Sequence, residues 1–363
     1  MSYPVLYEPN EKTFDHNGIG ILSDCAYCMV EEEANGLFEM KLKYPSNGIH
    51  FDKITYNSII KAKLHGVNSP QLFRVYEISN SIKNLSTILA RHISYDLSGI
   101  PVSPFEATNA TEAFAGLKAN SAIECPFDFW TDKTTEADFS VVAPASIRSV
   151  LGGSQGSILD AYGGEYEFDN YTVKLYNKRG QDRGFCVRYG KNLKTLKQEK
   201  NCENVYTGVY PFWQDYETNE VLQLPEKILK ADGEFSVERI KILDFSYDFD
   251  EKPTEAQIRS KAKKYISNND IGKPEVSIDV SFVKLETYSE YSDLVFDEKI
   301  SLFDEVIVVF EEMKIFTKAK VSRIIYNVIF DNIETITIGT QKMNVADTIS
   351  KISKTGGFSS VLV

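Results

Sequence analysis

The sequence predicts a mainly β protein with α+β insertions, and three observations carry that expectation. Aromatic residues make up 12% of the 363, with 20 Tyr and 22 Phe, and β-branched residues are frequent; both suit pleated, half-buried surfaces. Short runs of alternating apolar and polar residues recur between Gly, Asn and Pro. Strong helix-start signals are few, and the two best lie far apart, at 109–112 and 254–257. At this length a single core stops growing, so two or three domains are expected.

The clearest early unit is a hairpin, 26–33 and 37–44, flanking Asn35-Gly36, a dipeptide that supplies positive φ for a tight turn. Its second arm alternates Phe38, Met40, Leu42 and Tyr44 with Leu37, Glu39, Lys41 and Lys43. Strands follow at 58–64, 72–78 and 85–95, separated by turns carrying Gly66, Asn68 and Pro70, then 80–84. From Tyr95 the texture changes. Residues 99–104 read as a linker, and Asn109 with Glu112 forms a capping box before Ala113, Phe114 and Leu117.

Short strands are expected at 127–130 and 139–142. Pro144 then opens a short helix with Ile147, Val150 and Leu151 on one side and Gly152 as its stop. Strands resume at 165–169, 171–176, 185–189 and 206–213, with a strand or extended connector at 243–250. The best helix begins at Thr254, capped with Gln257. Ile258, Ala262, Tyr265 and Ile266 make its apolar stripe, and Gly272 and Pro274 close it. Strands at 276–282, 305–310, 317–328 and 334–338 rebuild an all-β block. Last, Val345, Ile349 and Ile352 fall at i, i+4 and i+7, a two-turn amphipathic helix too short to stand without a partner.

Charge and cysteine usage narrow the function. Net charge is -12, from 40 Lys+Arg against 52 Asp+Glu, which opposes a surface that grips nucleic acid. The one basic run, 191–200, is interrupted by Gln198 and Glu199 and reads as a solvated strand face. Five cysteines, Cys25, Cys28, Cys125, Cys186 and Cys202, show no repeating spacing and point to reduced thiols in a protein made in the cytoplasm. Cys25 and Cys28 form a lone C-x-x-C with no second half of a zinc site, so they read as two half-buried strand cysteines. No run of 18 apolar residues offers a membrane span, and 1–7 lacks the regions of a signal peptide.

Catalytic constellations are hard to find. His16, His50, His65 and His92 show no metal-ligand spacing. His92 and Asp96 tempt as a dyad, but four strand residues span about 13 Å, so a packed histidine is expected. The 152–157 loop (GGSQGS) lacks the lysine of a phosphate cradle. The acidic group Asp244, Asp248, Asp250 and Glu251 lacks the mid-loop Gly and distal Glu of a calcium loop and reads as a solvated connector. Tyr206, Tyr210 and Phe212 share a strand parity that favours core or interface packing over sugar stacking. No catalytic, cofactor or metal residue is assigned.

Several runs together resemble a known family. They are ARHISYDL at 90–97, GGEYEFDNY at 163–171, KRGQDRG at 178–184, RYGKN at 188–192 and YTGVYPF at 206–212. LFDEV at 302–306, KAKV at 318–321 and ITIG at 336–339 complete the series. In order, they resemble the phage minor structural proteins, also called prophage endopeptidase tail proteins. One departure is visible: the family usually carries Gly before the Asp of the 302–306 run. Phe303 stands there, so that turn is expected to differ.

The resemblance implies a fold like the central baseplate hub of contractile-tailed phages, with two tail-tube-like β-barrel domains plus smaller mixed domains. It implies a first barrel over 1–95 and a mixed α+β middle over 96–200, part of which can return to that barrel. A second barrel over 201–342 would hold the helical insert near 252–272, with a C-terminal helix and tail over 343–363. It further implies a homotrimeric hub at the tail tip of a long-tailed phage or prophage, assembled in the bacterial cytoplasm. Its implied partners are the distal tail protein, the tail tube, the tape-measure protein and tip or receptor-binding proteins, with DNA passing unread. The Val345, Ile349 and Ile352 stripe is the candidate trimer contact. Longer relatives carry a cell-wall hydrolase after the hub, and none is expected in these residues. A tail-associated endopeptidase and a module binding host-wall carbohydrate are the alternatives.

Overall fold

The computed structural model describes residues 2–80, 84–152, 156–188, 193–201, 205–233, 235–249, 251–268, 271–272, 275–282, 300–310 and 315–339. The fold is mainly β, with helices confined to insertions. The expected terminal helix, with Val345, Ile349 and Ile352, lies outside the described residues.

The amino-terminal block holds β1 (Val5–Tyr7), β2 (Gly20–Ile21), β3 (Tyr27–Glu33), β4 (Phe38–Pro45), β5 (Ile59–Ala62), β6 (Gln71–Ser79) and β7 (Leu85–His92). The β3–β4 hairpin forms as its alternation dictates: Val30, Phe38, Met40, Leu42 and Tyr44 are buried. Of the turn pair, it is Asn35 that takes the left-handed conformation, at φ 51. The strand expected over 85–95 ends at His92 and gives way to a 3₁₀ helix, Ile93–Gly99. The cause is local: the His92 ring accepts a bond from the Ser94 amide and caps the turn.

The middle of the chain holds β8 (Pro101–Val102), β9 (Phe105–Asn109), α1 (Ala110–Ala119), β10 (Asp128–Thr131), β11 (Glu136–Val141), β12 (Ala145–Ser146), α2 (Ile147–Leu151), α3 (Ile158–Tyr162), β13 (Glu165–Asp169) and β14 (Thr172–Tyr176). Asn109 caps α1 through the Glu112 amide, as expected. Ser146 caps α2, and Gly152 ends it. The five-residue α3, capped by Ser157, was not foreseen, being too short to show periodicity. Ala113, Phe114, Leu117, Phe127, Val173 and Leu175 belong to a separate core beneath the three-stranded sheet β10-β14-β13.

Next come β15 (Asp182–Arg188), β16 (Leu193–Asn201), β17 (Gly208–Gln214), β18 (Val221–Gln223), β19 (Leu229–Lys230), β20 (Ile240–Asp244) and α4 (Glu255–Asn268). The last strands are β21 (Glu275–Phe282), β22 (Glu305–Phe310), β23 (Ile315–Asn327) and β24 (Asn332–Gly339). The largest sheet runs β16-β21-β24-β23-β3-β4-β7-β6-β5-β1-β2, with β22 bridging β15 and β23. Its central seam is long-range: β3 pairs antiparallel with β23, Val30 opposite Tyr326. The two strand-rich ends of the chain therefore share one sheet and one core, in which Leu42 and Val75 lie with Val308 and Ile324.

Contacts divide the described residues into two compact units, one from 1–197 with 278–339 and one from 198–277. Strands expected over 201–342 fall in both. The second unit has its own core of Val209, Trp213, Leu243, Ile258 and Ala262, under the sheet β18-β17-β19 with β20 beside β17. Here the buried parity of β17 is Val209, Pro211 and Trp213. Tyr210 and Phe212, expected to pack as a set with Tyr206, lie half-buried on the opposite face.

Candidate functional site

Parts of the runs at 90–97, 163–171, 178–184, 302–306 and 318–321 meet in the first unit at one joint, built from two hydrogen-bonded clusters, while the 206–212 run lies in the second unit. The first starts at the β3–β4 turn. Because Asn35 tolerates positive φ, its side chain is free to face inward. Its amide donates to the Gly164 carbonyl (3.1 Å), and its Oδ1 accepts from the Tyr166 amide (2.7 Å). Asn170, at φ 53 in the β13–β14 turn, returns the grip at the other end of β13. Its Oδ1 accepts from the Leu72 amide (2.9 Å), and its side-chain amide donates to the Pro70 carbonyl (3.0 Å). Two turn asparagines thus tie the GGEYEFDNY run to the first strand block.

Between them lies a line of buried polar groups. His92 is fully buried and stacks on Phe38 (ring centroids 4.3 Å apart). Its Nε2 donates to Gln71 Oε1 (3.1 Å), since Nδ1 already accepts from the Ser94 amide; this tautomer follows from the bonding network. Burial, reinforced by the Arg148 charge, holds the imidazole well below its ordinary pKa, so the ring is neutral. Arg148 lies between the rings of Tyr95 and Phe168 (4.5 Å to each) and reaches Ser94 Oγ (3.3 Å) and the Gly36 carbonyl (3.4 Å). Asp96 turns away to a bidentate pair with Arg74, so no His92–Asp96 dyad forms.

The second cluster fastens the carboxy-terminal strands. Glu165 accepts from the Arg179 amide (2.6 Å), the Gly180 amide (3.2 Å) and Lys320 Nζ (2.6 Å). Asp304 accepts from the Gln181 and Ser301 amides (2.8 and 2.9 Å), and Lys318 bridges Asp182 and Glu305 (2.6 and 2.8 Å). Glu32 is buried, takes a bond from Tyr326 (3.1 Å) and faces Arg179 (3.8 Å). Its burial raises its pKa, against the opposing pull of Arg179. A Cβ at Gly180 would collide with the Phe303 carbonyl, so only glycine lets the two segments touch. Phe303 is fully buried at φ 69, a conformation that glycine adopts without strain.

Other candidates are placed individually. Cys25 and Cys28 are both buried free thiols, deeper than the half-burial expected. Asp244 bonds Ser246 and Tyr216, while Asp248 pairs with Lys261. Ser157 caps α3 through the Asp160 amide. Lys194 and Lys197 of the basic run are exposed. No helix among the described residues is long and apolar enough to cross a membrane. What the sequence missed is the joint itself: its long-range partners lie 98 to 294 residues apart, as in the Leu72–Asn170 and Glu32–Tyr326 bonds, and no spacing signal links them.

The joint can hold modules rigidly, and the matches to other proteins agree with a structural setting. Residues 181–349 match the family described as Prophage endopeptidase tail. No curated protein sequence matches. Among solved structures, the prophage tail protein gp18 from Listeria monocytogenes is similar over 97% of this chain and 99% of its own, at 14% identity and a TM-score of 0.60. The tail protein from Neisseria meningitidis is similar over 95% and 98%, at 10% identity and a TM-score of 0.59. The 43 kDa tail protein of prophage MuSo2 from Shewanella oneidensis is similar over 93% and 98%, at 11% identity and a TM-score of 0.57. Residues 181–349 thus resemble the prophage endopeptidase tail family, and the chain as a whole has the fold of these prophage tail proteins.

Proposed function

We propose that the chain is a structural hub at the tail tip of a long-tailed, siphovirus-like phage or prophage. Three copies form a ring that joins the six-fold tail tube and distal tail protein to the three-fold tip, and the tape-measure protein and DNA pass through it. The observation that carries this reading is the joint. Five of the family-like runs meet in a largely buried frame whose polar groups are spent on fastening strands and turns to one another. The shared fold supports it, and a net charge of -12 suits a conduit that DNA traverses without being gripped. In this reading 1–95 and 201–342 supply two tube-like barrels, and Val345, Ile349 and Ile352 make a three-fold helical contact. The protein assembles in the bacterial cytoplasm and ends in the virion tail tip.

The test is the solution mass by light scattering, alone and mixed with the distal tail protein, followed by electron microscopy of the particle. A mass of three chains with a central channel is expected; a monomer under both conditions overturns the ring. The family's description names an endopeptidase, and digestion of purified peptidoglycan tests that reading. We expect no release of peptides, because the histidine and carboxylates of the joint are committed to structural bonds.

A further inference from the structure

The three-stranded sheet β10-β14-β13 has one face on its core; the other passes Glu165 into the joint at one end and opens to solvent at Trp130. Phe129, Val173 and Leu175 face inward, and Trp130, Lys174, Tyr176 and Glu167 take the outward parity. Trp130 is 46% exposed and packs against Tyr176, centroids 5.0 Å apart and planes at 58°. An indole left in water on a regular strand costs hydrophobic free energy that nothing in the joint recovers. Polar groups frame the two rings. Tyr176 donates to Glu167 (2.8 Å), Lys174 bridges Glu167 and Asp169 (3.2 and 3.7 Å), and Lys133 donates to Asn177 (3.1 Å).

This frame decides among occupants. A protein interface buries about 800 Å² per partner around a desolvated apolar centre, and one ring pair ringed by charges does not supply that. Single-stranded nucleic acid stacks on aromatic rings but needs a basic groove, whereas here the Glu167 carboxylate holds the Tyr176 hydroxyl and takes up the Lys174 charge. A pyranose ring matches what remains. Its C–H face covers an indole, and its hydroxyls both donate and accept, so they can exchange with the carboxylates, the ammonium groups and the amide around it. We propose that the Trp130–Tyr176 face, beside the joint, is a binding site for pyranose oligosaccharide, independent of whether the chain is a trimer.

The sequence offers a direct readout, because the chain has two tryptophans and the other, Trp213, is buried in the second unit. The full chain is titrated with tetraoses of N-acetylglucosamine and of glucose while tryptophan emission is followed. At least one is expected to give a saturable blue shift in the millimolar range. Trp130→Ala should abolish that shift, leaving only Trp213 emission. By calorimetry its affinity for the same tetraose should fall roughly tenfold or more, the loss of one stacking contact. Glu167→Gln should weaken binding while keeping the shift at saturation. Circular dichroism confirms folding of both variants. No saturable change with either sugar, or equal affinity in Trp130→Ala, overturns the proposal.

Discussion

Phe303 shows how one residue can hold two opposed terms. Its left-handed backbone costs about 1–2 kcal/mol for a side chain with a Cβ, while its buried ring is worth about 3–5 kcal/mol against truncation to Ala. Phe303→Ala loses the ring and keeps the strain; Phe303→Gly loses the ring and sheds the strain. Both variants should be destabilised, with Gly the more stable of the two by about 1 kcal/mol, the reverse of the usual ranking. Denaturant titration measures this, and Ala equal to or better than Gly would remove the strain argument. Asn35 separates conformation from clamping in the same way. Asn35→Gly keeps an easy positive φ but leaves the Tyr166 amide, on a buried residue, without its acceptor. A loss of about 1–3 kcal/mol is expected in the same titration, and a change under 0.5 kcal/mol would mean the clamp contributes little.

Elements differ in how much of them a single sequence can show. The β3–β4 hairpin was legible because its turn and both arms lie within nineteen consecutive positions, 27–45, and alternate strictly. The longest helix, α4, was legible from Thr254 and Gln257, whose side chains do exchange bonds with each other's amides (3.3 and 2.8 Å). Short pieces were not. β18 and β19 have three and two residues, and α3 has five, so tertiary contacts define them where periodicity cannot. The joint was legible only in part. Its runs could be picked out, but that Gly180 must touch Phe303, or Glu165 meet Lys320, is a fact of the fold. Thr254→Ala tests the cap at element scale. It should cost about 1 kcal/mol, all of it in the second unit, because α4 packs Ile258 and Ala262 into that unit's own core. Hydrogen exchange should show faster opening of amides in α4 and β17 with β3 and β23 unaffected; equal acceleration of both would refute a separate core.

At the scale of the whole molecule, two units with separate cores should unfold in two calorimetric transitions, and pH should tell them apart. All four histidines lie in the first unit. His92 is the one whose pKa burial lowers far in the folded state, so between that depressed value and about 6.5 the unfolded chain binds a proton that the folded chain refuses. Its contribution is therefore complete above about pH 6.5 and is lost as pH falls from there through the folded pKa. Glu32 acts with the opposite sign. Its raised pKa means the folded unit holds the proton longer, so stability falls as pH rises from the ordinary carboxyl range through the raised value. Glu32→Gln keeps an acceptor for Tyr326 and removes that opposing slope. In this background, lowering pH from 7.5 to 5.5 should lower the first unit's transition and leave the second unit, without histidine, nearly unchanged. Adding His92→Gln, which retains a bonding partner for Gln71 or Ser94, should flatten the first transition too. A slope that survives the double substitution would place the proton uptake at another group and remove His92 from the account of acid stability.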